Sequence, residues 1–361
     1  MLKVLNTMKE GGAQITAERA LTEALKDVPF LKDLRFRREA RLGRAQVDLL
    51  VTVRAREKVQ RLVCELKSSG QPRIAREACL QLLHWIGGTD AYAVFIAPFV
   101  STEAGSICTE MGVGFIDFSG NCRLSFDGIY VQRSGYPNPS AKRRELRSLY
   151  SPKAERVLRA LVTGGPRRWR TQELADEAKV SLGQVANVKR LLADREWIDL
   201  GDRGFGLRPF DSAVRPLIEE WSVNYRLNRS ASSEFYSIKS VAETEASLVA
   251  NAHELGGDLG FTGFSGAARV HPVVRYQRIT AYYLGDPELL AERSGLKRVN
   301  SGANVTVLSP YDEGVLYGVR QIDQAPTVSP MQLYLDLRQT KGRGEEAATA
   351  ILDEVIAPIW R

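Results

Sequence analysis

Two apolar segments near the N-terminus carry charges at spacings that could do chemistry. In "VCELKSSG" (Val63 to Gly70), Glu65 and Lys67 stand two residues apart. Side chains alternate along a strand, so this acid and base share one face while Cys64 and Leu66 take the other. Asp48, in "AQVDLLV", lies near the start of the preceding apolar run, with 16 residues between it and Glu65. An acid and a base on one face of an otherwise apolar strand, with a further carboxylate on the preceding run, raise the question of a catalytic centre. The competing reading is a surface ion pair between Glu65 and Lys67.

The elements around these residues read as helix, strands, helix, strands over residues 1–136. "ITAERALTEALKD" has helical periodicity, and "AQVDLLVTV" and "VQRLVCELK" are β-branched runs joined by "RAREK". A helix "RIAREACLQLLHWIGG" ends in glycines. The strands "AYAVFIAPF", "GFIDFSGNCRLSF" and "GIYVQ" then complete a mixed sheet, with "DFSGN" as a turn and "YAVFIA" apolar enough to be covered on both faces. The pattern D-x(16)-E-x-K, bridged by a hairpin and followed by a helix and strands, resembles the PD-(D/E)XK superfamily of restriction-endonuclease-like proteins. That resemblance implies a Mg²⁺-dependent endodeoxyribonuclease site. Asp48 and Glu65 would hold the metal, Lys67 would orient or activate the attacking water, and Gln81 and Glu18 would be accessory catalytic residues. The motif's proline is missing, since Arg44, Ala45, Gln46 and Val47 precede Asp48. A nuclease fold that has lost its activity is the alternative within this resemblance.

Charge singles out the next region. Between Ala141 and Arg208 there are 16 Lys and Arg against 9 Asp and Glu, an excess equal to the whole chain's net charge of +7. A basic block this local is the electrostatic footprint of a nucleic-acid contact. "SGYPNPSAKRREL" (Ser134 to Leu146) reads as a linker before it. Residues 148–210 then read as helices "PKAERVLRALVTG", "TQELADEAKV" and "SLGQVANVKRLLADREWI", followed by the glycine-tipped hairpin "WIDLGDRGFGLRPF". Thr171 is a capping-type start, and Ser181 and Gln184 have capping-box spacing. The order, with the rhythm of Thr171, Leu174, Ala175, Val180, Ser181, Val185 and Leu192, resembles the winged helix-turn-helix of bacterial DNA-binding regulators. By that resemblance the third helix enters the major groove and the wing rests on phosphates. Val185, Val188 and Leu192 form one apolar stripe, which leaves Asn187 and Arg190, with Gln184, as candidates for base contact. Arg167, Arg168, Arg170 and Arg203 would meet phosphate, which gives affinity without sequence information. A winged helix used for protein contacts is the alternative.

A softer break near "NYRLNRSASSE" precedes residues 230–361, an α+β region of near-neutral charge with helix "VAETEASLVANAHELGG", strands "VVRYQRITAYYLG", "NVTVLSPY" and "GVLYGVRQID", and two closing helices. "GFTGFSGAAR" (Gly260 to Arg269) lacks the Lys-Ser/Thr of a phosphate loop and is expected to be a helix-entry turn following a helix. Thr262-Gly263, Ala267-Ala268, Pro330, Gln332, Asp336 and the Gly342 to Ala347 turn resemble the C-terminal part of AbiEi-type antitoxins of type IV toxin-antitoxin systems. Those proteins carry an N-terminal winged helix that binds promoter DNA, without the nuclease-like domain expected here.

The 361 residues predict two or three domains. His84, His253 and His271 are scattered, which speaks against zinc. Cys64, Cys79, Cys108 and Cys122 sit in apolar runs without CxxC spacing and are expected to be buried reduced thiols. With no signal-like or membrane-spanning run, the expected address is the cytoplasm. The first expectation is thus a sequence-specific regulator of double-stranded DNA, of antitoxin-like type, with a protein partner through its C-terminal region. A homodimer reading two half-sites is in keeping with it. The second is a Mg²⁺-dependent DNA endonuclease delivered by the winged helix. The third is a protein-interaction scaffold.

Overall fold

The computed structural model describes residues 2–43, 45–55, 58–138, 149–272 and 275–361, with residues 2–11 as backbone only. Residues 139–146 of the expected linker, with its cluster Lys142, Arg143 and Arg144, lie outside the described part. Contacts divide the chain into two compact units, Met1–Arg144 with Ala193–Glu196, and Glu145–Leu192 with Trp197–Arg361. Both mix helices and strands.

The first unit has one seven-stranded sheet in sequence order: β1 (Leu31–Leu42), β2 (Ala45–Ala55), β3 (Lys58–Leu66), β4 (Ala91–Ala97), β5 (Gly114–Asp117), β6 (Cys122–Phe126) and β7 (Ile129–Arg133). β1 to β3 are antiparallel, β3 to β5 parallel, and β5 to β7 antiparallel again. Helix α1 (Leu2–Leu25) buries Ala17, Leu21 and Leu25 against Leu49, Val51, Leu62 and Cys64 on one face. Helices α2 (Pro72–Ile86) and α3 (Thr102–Glu110) bury Ala78, Cys79 and Cys108 against Leu50, Val63 and Phe95 on the other. "YAVFIA" therefore runs through the middle of a sheet covered on both sides. All four cysteines are buried free thiols.

Two elements escape the periodicity. β1, "LKDLRFRREARL", is an edge strand dominated by charges, and within it only Leu34, Phe36, Ala40 and Leu42 plus Leu31 touch the core. α3 is short and nucleated by the Ser101 hydroxyl, which accepts from Ala104 N–H at 3.2 Å.

The second unit begins with α4 (Pro152–Thr163), α5 (Thr171–Glu177), α6 (Leu182–Asp194) and the hairpin β8 (Ile198–Gly201) and β9 (Gly204–Leu207), in the expected order. Trp169, ahead of α5, bridges to Phe205 on β9 and ties the helices to the hairpin. After α7 (Val214–Asn224) comes a mixed sheet of β10 (Ala231–Tyr236), β11 (Asp258–Phe261), β12 (Ile279–Leu284), β13 (Lys297–Arg298), β14 (Val305–Ser309), β15 (Arg320–Ile322) and β16 (Ala325–Thr327). Its order is β13-β10-β14-β12-β11-β16-β15. Helices α8 (Val241–Glu254), α9 (Gly263–Val270), α10 (Pro287–Ser294), α11 (Pro330–Arg338) and α12 (Gly344–Ala350) pack around it. "GFTGFSGAAR" does open a helix, α9, but it follows strand β11 and not a helix. "GVLYGVRQID" is not one strand either: its first part is a 3-10 turn, Glu313–Leu316, and only Arg320–Ile322 pairs. Among the described residues no helix is long and apolar enough to cross a membrane.

Candidate functional site

The last register pair between β2 and β3 is Leu49 with Cys64. Beyond it the Asp48 carboxylate takes over, its Oδ2 accepting from the backbone N–H of Leu66 at 2.7 Å. Asp48 shares the sheet face of Leu50, and Glu65 that of Val63, which is the face packed by α2. Glu65 is only 6% exposed, and its Oε1 accepts from Lys67 Nζ at 2.6 Å. The same ammonium reaches Gln81 Oε1, on α2, at 3.5 Å. Burial raises the Glu65 pKa, and the Asp48 charge raises it further while the bond from Lys67 opposes the shift. Asp48, Glu65, Lys67 and Gln81 thus gather at one end of β3.

Glu18 does not join them. It lies on α1, bound to both Nε and Nη2 of Arg38 at 2.7 and 2.8 Å. A different α1 residue reaches the cluster, since Gln14 Nε2 donates to the Asp48 carbonyl at 3.4 Å. Gln14 was legible: it is a polar residue in line with the buried stripe Ala17, Leu21 and Leu25. The turn after Lys67 is fixed by close backbone approach. Gly70 bridges to Val100, and a Cβ on it would lie 2.0 Å from the Phe99 carbonyl oxygen. Asp117, in "DFSGN", is structural: its carboxylate accepts from Val100, Ser119 and Asn121 N–H and from the Asn121 amide at 2.8 to 3.2 Å.

Among the described residues no three His, Cys, Asp or Glu gather as a metal cage. The donor set at β3 is two neighbouring carboxylates, one of them raised by burial and further by the charge of the other. That fits Mg²⁺, which binds through one or two carboxylates and keeps several waters.

In the second unit, α6 buries Val185, Val188, Leu191 and Leu192. Arg190 is exposed, Asn187 and Gln184 are half-buried, and Arg190 Nη2 donates to Asn187 Oδ1 at 3.2 Å. The expected capping box forms on one side, with Ser181 Oγ accepting from Gln184 N–H at 3.2 Å. Arg167, Arg168, Arg170 and Arg203 are all exposed. Arg167 lies 3.8 Å over the Trp169 ring and pairs with Glu173, and Arg168 Nη1 donates to the Gly204 carbonyl at 3.2 Å. The basic block is smaller than its composition suggests, because three of its arginines are drawn out of solvent, Arg195 among them at 8% exposed. Arg156 pairs with Asp312 at 2.7 Å, and Arg159 is fully buried.

Arg159 opens a polar network that the sequence did not reveal. Its Nε and Nη2 donate to Gln332 Oε1 at 3.1 and 2.7 Å, and Nη2 also to the Tyr311 hydroxyl at 3.1 Å. Tyr311 in turn bonds Glu155, which is wholly buried on α4 and accepts from Trp221 Nε1 at 3.3 Å and Arg229 Nη1 at 3.1 Å. At the other end, Gln332 Nε2 donates to Asp336 Oδ1 at 2.9 Å. Tyr225 and Tyr282 donate to the same oxygen at 2.8 and 3.0 Å, and Thr262 Oγ1 donates to Oδ2 at 2.5 Å. Burial pushes the Asp336 carboxyl up to about 6 against these four donors. Glu155 thus has two guanidinium groups beside it, the buried Arg159 and the exposed Arg229, whereas Asp336 is held by neutral donors alone. Thr262, Gln332 and Asp336, scattered over 75 residues of sequence, meet in one cluster.

Residues 213–357 match the family model described as "Transcriptional regulator, AbiEi antitoxin, Type IV TA system". The AbiEi match takes in the Asp336 end of the network, whereas Glu155 and Arg159 lie before it in the chain. No curated protein and no solved structure matches the chain.

Proposed function

We propose that the protein is a sequence-specific regulator of double-stranded DNA, of antitoxin type, in which residues 149–207 act as a winged helix-turn-helix. The observation that carries this reading is the coincidence of two things in one unit. Exposed Arg167, Arg168 and Arg170 just before α5, Arg190 on α6 and Arg203 at the hairpin tip lie next in sequence to an AbiEi-matching region. In this reading α6 enters the major groove, where Arg190, Asn187 and Gln184 meet base edges, and the hairpin arginine rests on phosphate. The antitoxin description brings a toxin protein into the reading as partner of the C-terminal region, and two half-sites bring a homodimer. In a mobility-shift assay with selected DNA, Arg190→Ala should cost about 1–3 kcal/mol of specific affinity and leave non-specific binding nearly intact. Equal losses on both DNAs would remove its base-reading role.

A second reading is favoured by the convergence of Asp48, Glu65, Lys67 and Gln81 on the first unit's sheet: a restriction-endonuclease-like DNA endonuclease. Asp48 and Glu65 would hold Mg²⁺, and a cation there supplies Lewis-acid polarisation of a phosphoryl oxygen. Lys67 sets its ammonium against Glu65 with donors left for a phosphoryl oxygen, and Gln81 steadies it. Supercoiled plasmid with and without Mg²⁺ tests this. Nicking that disappears in Glu65→Ala and Lys67→Ala supports it, and Mg²⁺-independent or undiminished nicking rejects it.

A further inference from the structure

The same sheet face that carries Asp48 and Glu65 is not fully covered by helix. α2 packs over Val63 and Phe95 and reaches Leu50, but the part of the face built from β1, β2 and the start of β3 is open and basic. The strand register orders its side chains. Arg37 lies opposite Leu50, which lies opposite Val63, and Val63 is two residues from Glu65. One step further out Arg35, Thr52 and Arg61 form the next row, and beyond it Lys32 and Arg54 face each other.

All five cations are exposed, and the only ion pair among them with a described residue is the loose one from Arg54 to Asp33 at 3.9 Å. A surface built only for solubility mixes its signs. Here one face gathers arginines on three adjacent strands, on a rigid sheet. The rows are spaced about 7 Å apart along the strands, so Arg61 stands about 14 Å from Glu65.

We infer that this open face is a second nucleic-acid contact, which takes the phosphate backbone of duplex DNA along Arg61, Arg35 and Arg37 toward Asp48 and Glu65. It requires neither base reading by α6 nor cleavage at Glu65. Exposed guanidinium groups spread over a sheet face meet phosphate, which gives affinity without sequence preference.

Counterion release gives the test. Binding of the full chain to a duplex of arbitrary sequence is followed by fluorescence anisotropy at several salt concentrations. Each phosphate contact contributes about 0.9 to the slope of log affinity against log salt. The Arg35→Ala/Arg37→Ala/Arg61→Ala variant should therefore lose about 2.7 from the slope, which makes it about forty-fold less salt-sensitive between about 50 and about 200 mM. Arg37→Ala and Arg61→Ala singly should each lose about 0.9. The corresponding triple lysine variant should keep the full slope, because phosphate neutralisation needs only the charge. An unchanged slope in the alanine variants, or a slope lost equally in the lysine variant, overturns the inference. Arg167→Ala/Arg168→Ala/Arg203→Ala, measured alongside, separates the two surfaces. If all loss falls on that variant, the sheet face is excluded and the winged-helix reading stands; if all falls on the β-strand variants, the reverse holds.

Discussion

The molecule buries carboxylates in two places and treats them differently. Asp336, 1% exposed, has four side-chain donors, and the network behind it ends in Arg159 and Glu155, both wholly enclosed. Glu65 is nearly as buried, but its one side-chain donor is Lys67, whose own side chain is 31% exposed, and its neighbour Asp48 is another acid. In the first case four donors from four segments surround the carboxylate and tie α11 to the end of α7, although burial outweighs them and keeps its pKa raised. In the second the single donor is itself partly exposed and the neighbour is a like charge. The donor-saturated carboxylate is part of the architecture, and the undersupplied one is less tied to it.

The sharpest way to break this contrast is at the saturated end. Arg159→Ala strands Glu155, Tyr311 and Gln332 without their central donor, and should destabilise the second unit by about 3–5 kcal/mol in urea unfolding. A loss below 1 kcal/mol would show that the network contributes little.

A smaller effect should appear with pH. The folded pKa of Asp336 is raised to about 6, so the native state holds a proton that the unfolded chain has released. Its contribution to stability is therefore fully present below the ordinary carboxylate range and is lost as pH rises through about 6. Asp336→Asn removes that titration, and its amide can be accommodated because the Thr262 hydroxyl can accept as well as donate. The stability of wild type relative to this variant should fall between about pH 4 and about pH 6, by no more than about 3 kcal/mol, and stay flat above. A gap that widens in favour of wild type with rising pH would contradict the sign.

The smallest change is expected at the undersupplied end. Glu65→Gln ends the repulsion with Asp48 while giving up the Lys67 pair, and stability should stay within about 1 kcal/mol of wild type. A divalent cation should raise the melting temperature of wild type and not of this variant, since only the former keeps both carboxylates. Equal shifts in the two proteins would separate any metal effect from Glu65.

Much of this could be read from the chain, and the failures have a common cause. Strands with one or both faces apolar, such as Ala45–Ala55 and Ala91–Ala97, announce themselves by composition, and so do the amphipathic helices over 152–194. The shared face of Glu65 and Lys67 was visible from strand alternation, whereas Asp48 and Gln81 entered through the nuclease-like resemblance and are found beside them. β1 was not, since an edge strand half in water has no apolar period. Glu18 was misplaced for a related reason: helical periodicity gives its face but not the position along α1 that meets Asp48, which belongs to Gln14 one turn earlier. The Arg159 network was out of reach, because its members come from six separate segments and only the fold makes them neighbours. Arg156 and Arg159 even counted toward the basic block that suggested a DNA contact, although both point into the protein.

Gly70 carries a last consequence. With the Phe99 carbonyl where a Cβ would stand, this position admits one amino acid out of twenty, and the three residues from Lys67 to it are held at both ends. For anyone diversifying the protein, Gly70 therefore stays fixed unless its surroundings change with it. The turn that closes the carboxylate site would have to be replaced together with the Pro98 to Val100 loop it rests on, as a single cassette.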